Sequence, residues 1–374
     1  MTKLGLEATK PSCEPLPTPS DAGPPAARRL VKLVRLRCTD SRTNTNAPDS
    51  NTCLLIGCAA ATACSSANLP ESQKLSPDKV AQIASRIEAQ YPKFAQDKRD
   101  EVLRVVIRSI DEMVFIEGGT FEMGDFGWKC DFNPAEVCTW PCGAPEDNLC
   151  NITMNSDAPL HEIEVSSYHL AAKKTTLGDF DLYRSLIGQE PVLSELRDRE
   201  RLKYAFDPMN VAPIREWQEA KDYCQWLGNV SGYPVDLPTE AQWEYAARNR
   251  GQNVLYPTND GSLKFGENFP GTGRRPITER VDKYPPNPLG LYSMAGMAIE
   301  VLDDWYSEGF YDESPRKDPK GPSSGEEKVA RGIDSVDTPW LAANTVLRRN
   351  LRLKRDTHSF TVSFRCAMHR SEWL

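Results

Sequence analysis

Beyond Met113 the chain never holds a single apolar period for long, and this limits its fold more than any other feature. Short apolar and aromatic stretches alternate with turns, and the chain carries 29 Pro and 23 Gly. Such a pattern disfavours a helical bundle or a repeat solenoid and predicts a loop-rich fold. Two segments depart from it. "WQEAKDYCQWLG" (217–228) and "TEAQWEYAAR" (239–248) carry helical spacing, and the second opens with a capping box of Thr239 and Gln242. "MVFIEGGTFEMG" (113–124) reads as a strand, a Gly-Gly turn and a second strand. After residue 250 only loops and short strands are expected.

The chain before Met113 differs in character. Residues 1–52 are rich in Pro, Ser, Thr and Arg without apolar periodicity, a composition that does not build a core. "CLLIGCAAATAC" (53–64) is the most apolar run and is too short to span a bilayer. Its "LIGC" resembles a bacterial lipobox, which makes Cys58 a candidate lipidation site; "ATAC" (61–64) is a weaker match. The run is either a processed export signal or an apolar patch without that role. A linker follows, and "SPDK" opens a helix with Ser76 as N-cap and Pro77 at its first position. Val80, Ile83 and Ile87 share one face, and Val102, Val106 and Ile110 mark a second amphipathic helix over 97–112. Three regions result: a signal-like segment at 1–65, a linker and helical hairpin at 66–112, and a main domain at 113–374.

The net charge of −8 disfavours nonspecific binding to nucleic acid or an anionic membrane. Eleven cysteines without a close Cys-x-x-Cys pair fit an oxidising compartment better than a reducing one. Their distribution is uneven, since none lies between Cys224 and Cys366. Cys130, Cys138, Cys142 and Cys150 cluster in a polar stretch with too few apolar residues for a core of its own. Disulfides among these four allow three pairings, and a zinc site is the alternative. A rigid loop presenting Trp140 would suit a binding surface.

Seven motifs then occur in one order: "MVFIEGGTFEMG", "PLHEIEV", "DYCQWLG", "LPTEAQWEYAAR", "PNPLGLYSMAG", "EVLDDWY" and "SFRCA". Together, over about residues 113–370, they resemble the sulfatase-modifying-factor family, whose founding member is the formylglycine-generating enzyme. The resemblance implies an α+β, C-type-lectin-like fold with a twisted antiparallel sheet, few helices and calcium-stapled loops. It also implies a disulfide between Cys366 of the "FRC" motif and Cys224 of the "YCxW" helix. A bond closing so long a loop is worth about 4–5 kcal/mol in the chain-entropy model.

Enzymes of this family convert a substrate cysteine to formylglycine using copper(I) and oxygen, with two nearby thiolates holding the metal. The corresponding stretch here, about 335–355, contains no cysteine. Soft thiolates select copper(I), so the resemblance carries the scaffold without its chemistry. An iron site is not indicated either, because His161, His169, His358 and His369 form no paired ligand motif and His161 matches a structural position. Of the family's calcium ligands, Glu300 is kept and Asn268 matches the other site, whereas Met297 replaces an asparagine. Calcium is therefore the only cofactor expected, in a weakened form.

One basic run, Arg348, Arg349, Arg352, Lys354 and Arg355, stands out in an acidic protein. Its alternation with Leu351 and Leu353 suggests a strand with one buried face. The cations either are merely solvated or contact an acidic partner. The expectation is a noncatalytic binding protein of a bacterial periplasm, either free or held by a lipid on Cys58. Its most concrete version is an immunity protein against a secreted toxin such as a phospholipase, because bacterial members of this family partner such toxins. A metal-dependent oxygenase or maturation enzyme and a lectin-like surface module are the alternatives.

Overall fold

The computed structural model describes residues 69–153, 157–271, 279–333, 342–352 and 361–374. Helices α1 (Pro77–Gln90) and α2 (Gln96–Asp111) form the expected hairpin, and the Ser76 side chain accepts from the Lys79 N–H. Their apolar faces enter the same core cluster as α3 (Leu177–Leu186) and α5 (Trp217–Ser231). A buried hydrogen bond from Trp226 Nε1 to the Tyr91 hydroxyl (2.8 Å) joins the hairpin to α5. The helices thus complete the core of the main domain rather than sitting beside it.

Strands β1 (Met113–Ile116) and β2 (Gly119–Met123) form as the sequence predicts, yet they do not pair with each other. β2 pairs with β3 (His161–Val165), whereas β1 pairs antiparallel with β4 (Tyr168–Ala171). The Gly-Gly step between them therefore transfers the chain from one sheet to another. Gly118 permits it, since a Cβ there would lie 2.3 Å from the Val165 carbonyl oxygen.

A short α4 (Ser194–Arg197) precedes α5, which runs into β5 (Val235–Asp236) and then α6 (Glu240–Ala247). Both halves of the predicted capping box on α6 are made, between Thr239 and Gln242. The remaining elements are short, as expected: β6 (Ile299–Trp305), α7 (Phe310–Glu313), β7 (Glu327–Arg331), β8 (Arg349–Arg352), β9 (Val362–Ser363) and β10 (Ala367–Met368). One sheet has the order β1-β4-β10-β5 and another β8-β7-β6-β9, with β9 parallel to β6. β10 thus inserts between two strands made much earlier in the chain. No helix among the described residues is long and apolar enough to cross a membrane.

Candidate functional site

All six cysteines among the described residues are bridged: Cys130–Cys150, Cys138–Cys142 and Cys224–Cys366. The third bond matches the pairing implied by the resemblance and spans 142 positions between α5 and the "FRC" segment. Its sulfurs sit within the main core cluster. The two outer bonds choose one of the three pairings and leave no thiolates for zinc. Cys150 also exchanges two backbone hydrogen bonds of 2.8 Å with Trp128, which fixes the insertion to the domain.

Residues 342–352 are the described part of the stretch that corresponds to the copper-thiolate segment. Ala342, Ala343, Asn344, Thr345, Val346 and Arg348 are all buried there. Thr345 donates its N–H to the Leu255 carbonyl (2.9 Å) and its hydroxyl to the Val254 carbonyl (2.7 Å). Asn344 Oδ1 accepts from the Val346 and Leu347 N–H groups. Ala342, Ala343 and Val346 pack with Phe126, Trp128 and Leu255. The segment is packed as core, and its residues do not fit copper(I).

Beside it lies a buried ionic cluster that sequence inspection missed. α6 is buried along its whole length and places Glu240 and Glu244 on one face, with Arg248 one turn on. The Arg248 guanidinium donates to Glu244 (2.9 Å), and Arg331 donates to both Glu240 (2.8 Å) and Glu244 (2.7 Å). Arg348 then grips Glu240 through Nε (2.8 Å) and Nη2 (3.1 Å). Burial alone would raise the Glu240 pKa, but Arg348 and Arg331 outweigh it and hold the carboxyl below its ordinary range. Asp304, which accepts from the Glu240 N–H (2.9 Å), is pushed well up by burial and by the neighbouring Glu240. The i, i+4 spacing of 240, 244 and 248 was the available sequence signal.

This cluster corrects the reading of the basic run. Arg348 is only 3% exposed and belongs to the core, because its charge is neutralised by Glu240. Arg349 is half-buried, with Nε donating to the Gly332 carbonyl (3.1 Å). Of the run's described residues only Arg352 stands exposed, on β8, which is an edge strand. A charged residue there guards the edge against pairing with another chain. Lys354, Arg355 and Cys58 lie outside the described residues.

The calcium candidates have other partners in the structure. Glu300 is fully buried and has both oxygens engaged, one by Lys174 (2.5 Å) and one by Arg365 Nε (2.7 Å). Burial lowers the Lys174 pKa to about 8 despite its carboxylate partner. Met297, at the expected asparagine position, has a left-handed backbone (φ 74°) and packs with Val211, Val281 and Tyr284. Around Asn268, Oδ1 accepts from the Lys264 N–H, and the Lys264 ammonium pairs with Asp260 (2.7 Å). Each loop thus has a lysine ammonium beside its carboxylate, and these donor sets do not fit calcium. No group of three or more His, Cys, Asp or Glu suited to a metal occurs among the described residues.

Trp140 is half-buried rather than freely presented, with Nε1 donating to the Gly127 carbonyl (3.0 Å). His161 holds the Pro159 carbonyl through Nδ1 (2.9 Å) and packs against Tyr311, which agrees with a structural role. His169 and His369 are held in different surroundings and do not combine into a ligand pair: His169 stacks edge-on to Phe115, whereas His369 contacts Gln242 and the Leu237 carbonyl.

A disulfide-stapled α+β scaffold with a closed, charged centre is therefore the class of protein defined by the geometry. The model of the sulfatase-modifying factor enzyme 1-like domain matches residues 98–370, and the chain belongs to this family. It is 29% identical over 275 residues to serine/threonine-protein kinase pkn1 of Chlamydia pneumoniae, covering 69% of this chain and 38% of that protein. It is 34% identical over 163 residues to the formylglycine-generating enzyme of Bos taurus, covering 40% of this chain and 42% of that enzyme. The chain spans about two fifths of the length of the kinase-named relatives it matches. Among solved structures, PvdO from Pseudomonas aeruginosa aligns with a TM-score of 0.52 at 20% identity, over 68% of this chain and 93% of that one. That likeness shows the fold, which is the α+β, C-type-lectin-like architecture of formylglycine-generating enzymes.

Proposed function

We propose that this chain is a noncatalytic binding protein on a formylglycine-generating-enzyme scaffold, most concretely an immunity protein that neutralises a secreted toxin such as a phospholipase. One observation carries the noncatalytic part: the segment matching the copper site has no thiol, and its described residues 342–346 and Arg348 are buried. The match to a protein named inactive C-alpha-formylglycine-generating enzyme 2 of Bos taurus, 29% identical over 163 residues, supports the same reading. The disulfide-braced insertion supports a protein-binding role, since a preformed surface loses little entropy on docking. A periplasmic location, with or without a lipid on Cys58, is part of this proposal and fits the three disulfides.

A kinase activity has less support. Asp125, Phe126 and Gly127 spell the tripeptide of a kinase magnesium loop. Yet the Asp125 carboxylate accepts from the N–H groups of Gly127, Ile152 and Thr153 and acts as a loop brace.

Purified protein should contain copper and iron far below one per chain, and should leave a cysteine-containing sulfatase peptide unchanged. Stoichiometric metal together with oxygen uptake defeats the noncatalytic reading. For the partner, the full chain is mixed with each of a panel of secreted bacterial phospholipases. A one-to-one complex with the lipase silenced is expected; undiminished lipase activity at excess protein defeats the immunity reading.

A further inference from the structure

A groove of about 610 Å³ opens between the disulfide-bonded insertion and the turn that follows α6. Its size falls within the roughly 300–1,000 Å³ of small-ligand clefts. The insertion contributes Cys138, Thr139 and Trp140, with Trp128 beside them; the other side contributes Asn249, Gln252, Asn253 and Asn259. Among the described residues no lysine, arginine or histidine lines it, and the one acid there, Asp260, is already paired with Lys264. Phosphate and carboxylate ligands therefore find no counter-charge among the described lining residues.

The polar groups are placed in an unusual way. Asn249 Oδ1 is buried with no hydrogen-bond partner among the described residues, a costly state for an amide oxygen. Asn253 Oδ1 accepts from Arg248 (2.6 Å) and Asn259 Oδ1 from Asn268 (3.1 Å), which leaves each amide nitrogen as a donor. Asn249, Arg250 and Gly251 are successive left-handed residues (φ 48°, 68° and 77°), and two of them are not glycine. Strain of this kind persists only where the surroundings hold it, and it is concentrated at binding sites. Opposite stands Trp140, its polar edge satisfied by Gly127, so what it can offer a ligand is its apolar ring.

An aromatic plane facing neutral donors and acceptors suits a molecule with apolar C–H faces and many hydroxyls. We propose that this groove binds a neutral oligosaccharide, with one sugar ring on Trp140 and hydroxyls hydrogen-bonded to Asn249, Asn253 and Asn259. A hydroxyl can donate to Asn249 Oδ1 while accepting from a neighbouring amide. This site does not depend on the toxin-neutralising role.

Maltotriose, cellotriose, mannotriose and N-acetylchitotriose are titrated into the full chain, with tryptophan emission and heat both followed. Saturable binding of at least one is expected. Asn249→Gly suits the left-handed backbone and keeps the fold, and it should weaken that binding at least about tenfold by removing one buried hydrogen bond. Trp140→Ala, in a loop still held by two disulfides, should abolish it. The inference is overturned if no sugar saturates up to about 10 mM. It is equally overturned if Asn249→Gly binds as the wild type does, or if only a peptide or an anionic sugar binds.

Discussion

Replacing Glu240 by Gln is the sharpest perturbation of this molecule, because it removes one charge and keeps the shape. Glu240 is 2% exposed and receives two hydrogen bonds from Arg348, at 2.8 and 3.1 Å, and others from Arg331, at 2.8 and 3.1 Å. A glutamine offers one oxygen to these cations and turns an NH2 group toward the other guanidinium. Arg248, Arg331 and Arg348 then share Glu244 as the nearest remaining carboxylate of α6. Stranding a buried charge costs roughly 3–5 kcal/mol, so Glu240→Gln should lose about that much in urea unfolding near neutral pH.

The penalty should depend on pH. The folded Glu240 pKa lies below its ordinary value of 4.5, so its stabilisation is present above that pH and is lost as pH falls through the folded pKa. The two proteins should therefore converge in acid. The double variant Glu240→Leu with Arg348→Met removes Glu240 together with one of its two cations, while Arg331 keeps Glu244, and should lose less than Glu240→Leu alone. A loss below about 1 kcal/mol for Glu240→Gln would refute the reasoning, since that is the scale of a solvent-screened surface pair.

Three further outcomes are expected. Replacing Cys224 and Cys366 by Ala should destabilise by about 5 kcal/mol from loop entropy over 142 positions, against about 2 kcal/mol for the Cys138–Cys142 bridge, as read from denaturant midpoints. Burial holds the His169 pKa down to about 4 against an ordinary 6.5, so the unfolded chain binds the proton first and stability falls between pH 6.5 and 4. His169→Phe should flatten that part of the stability curve, and an unchanged slope would remove His169 as its cause. Calcium or a chelator should leave the melting temperature unmoved, because Lys174 and Arg365 already hold Glu300. A rise with calcium would mean that the metal displaces the lysine.

Much of the fold was legible in local signals. Ser76 with Pro77, and Thr239 with Gln242, mark helix starts that the structure reproduces, because caps act between residues three or four positions apart. The separation of β1 from β2 was not legible, because partner choice depends on β3 and β4, whose paired residues lie 38 to 58 positions further on. The basic run misled for a related reason. Arg348 looks like a surface charge until Glu240, 108 positions earlier, is folded against it. The groove beside Trp140 was hidden too, since "NRGQN" reads as an ordinary turn and only the fold brings it to the disulfide-bonded insertion.

The position of β10 bears on how the molecule is made. Its residues Ala367 and Met368 lie between β4 and β5, and Phe364 and Cys366 fill the core formed by the helices. Domains fold as they emerge from synthesis, N-terminal parts first. Until the final stretch arrives, a growing chain exposes two unpaired strand edges and a Cys224 thiol without its proper partner. A chaperone or disulfide isomerase would have the most influence during that interval. Premature pairing of Cys224 with one of the earlier cysteines would keep β10 from its place.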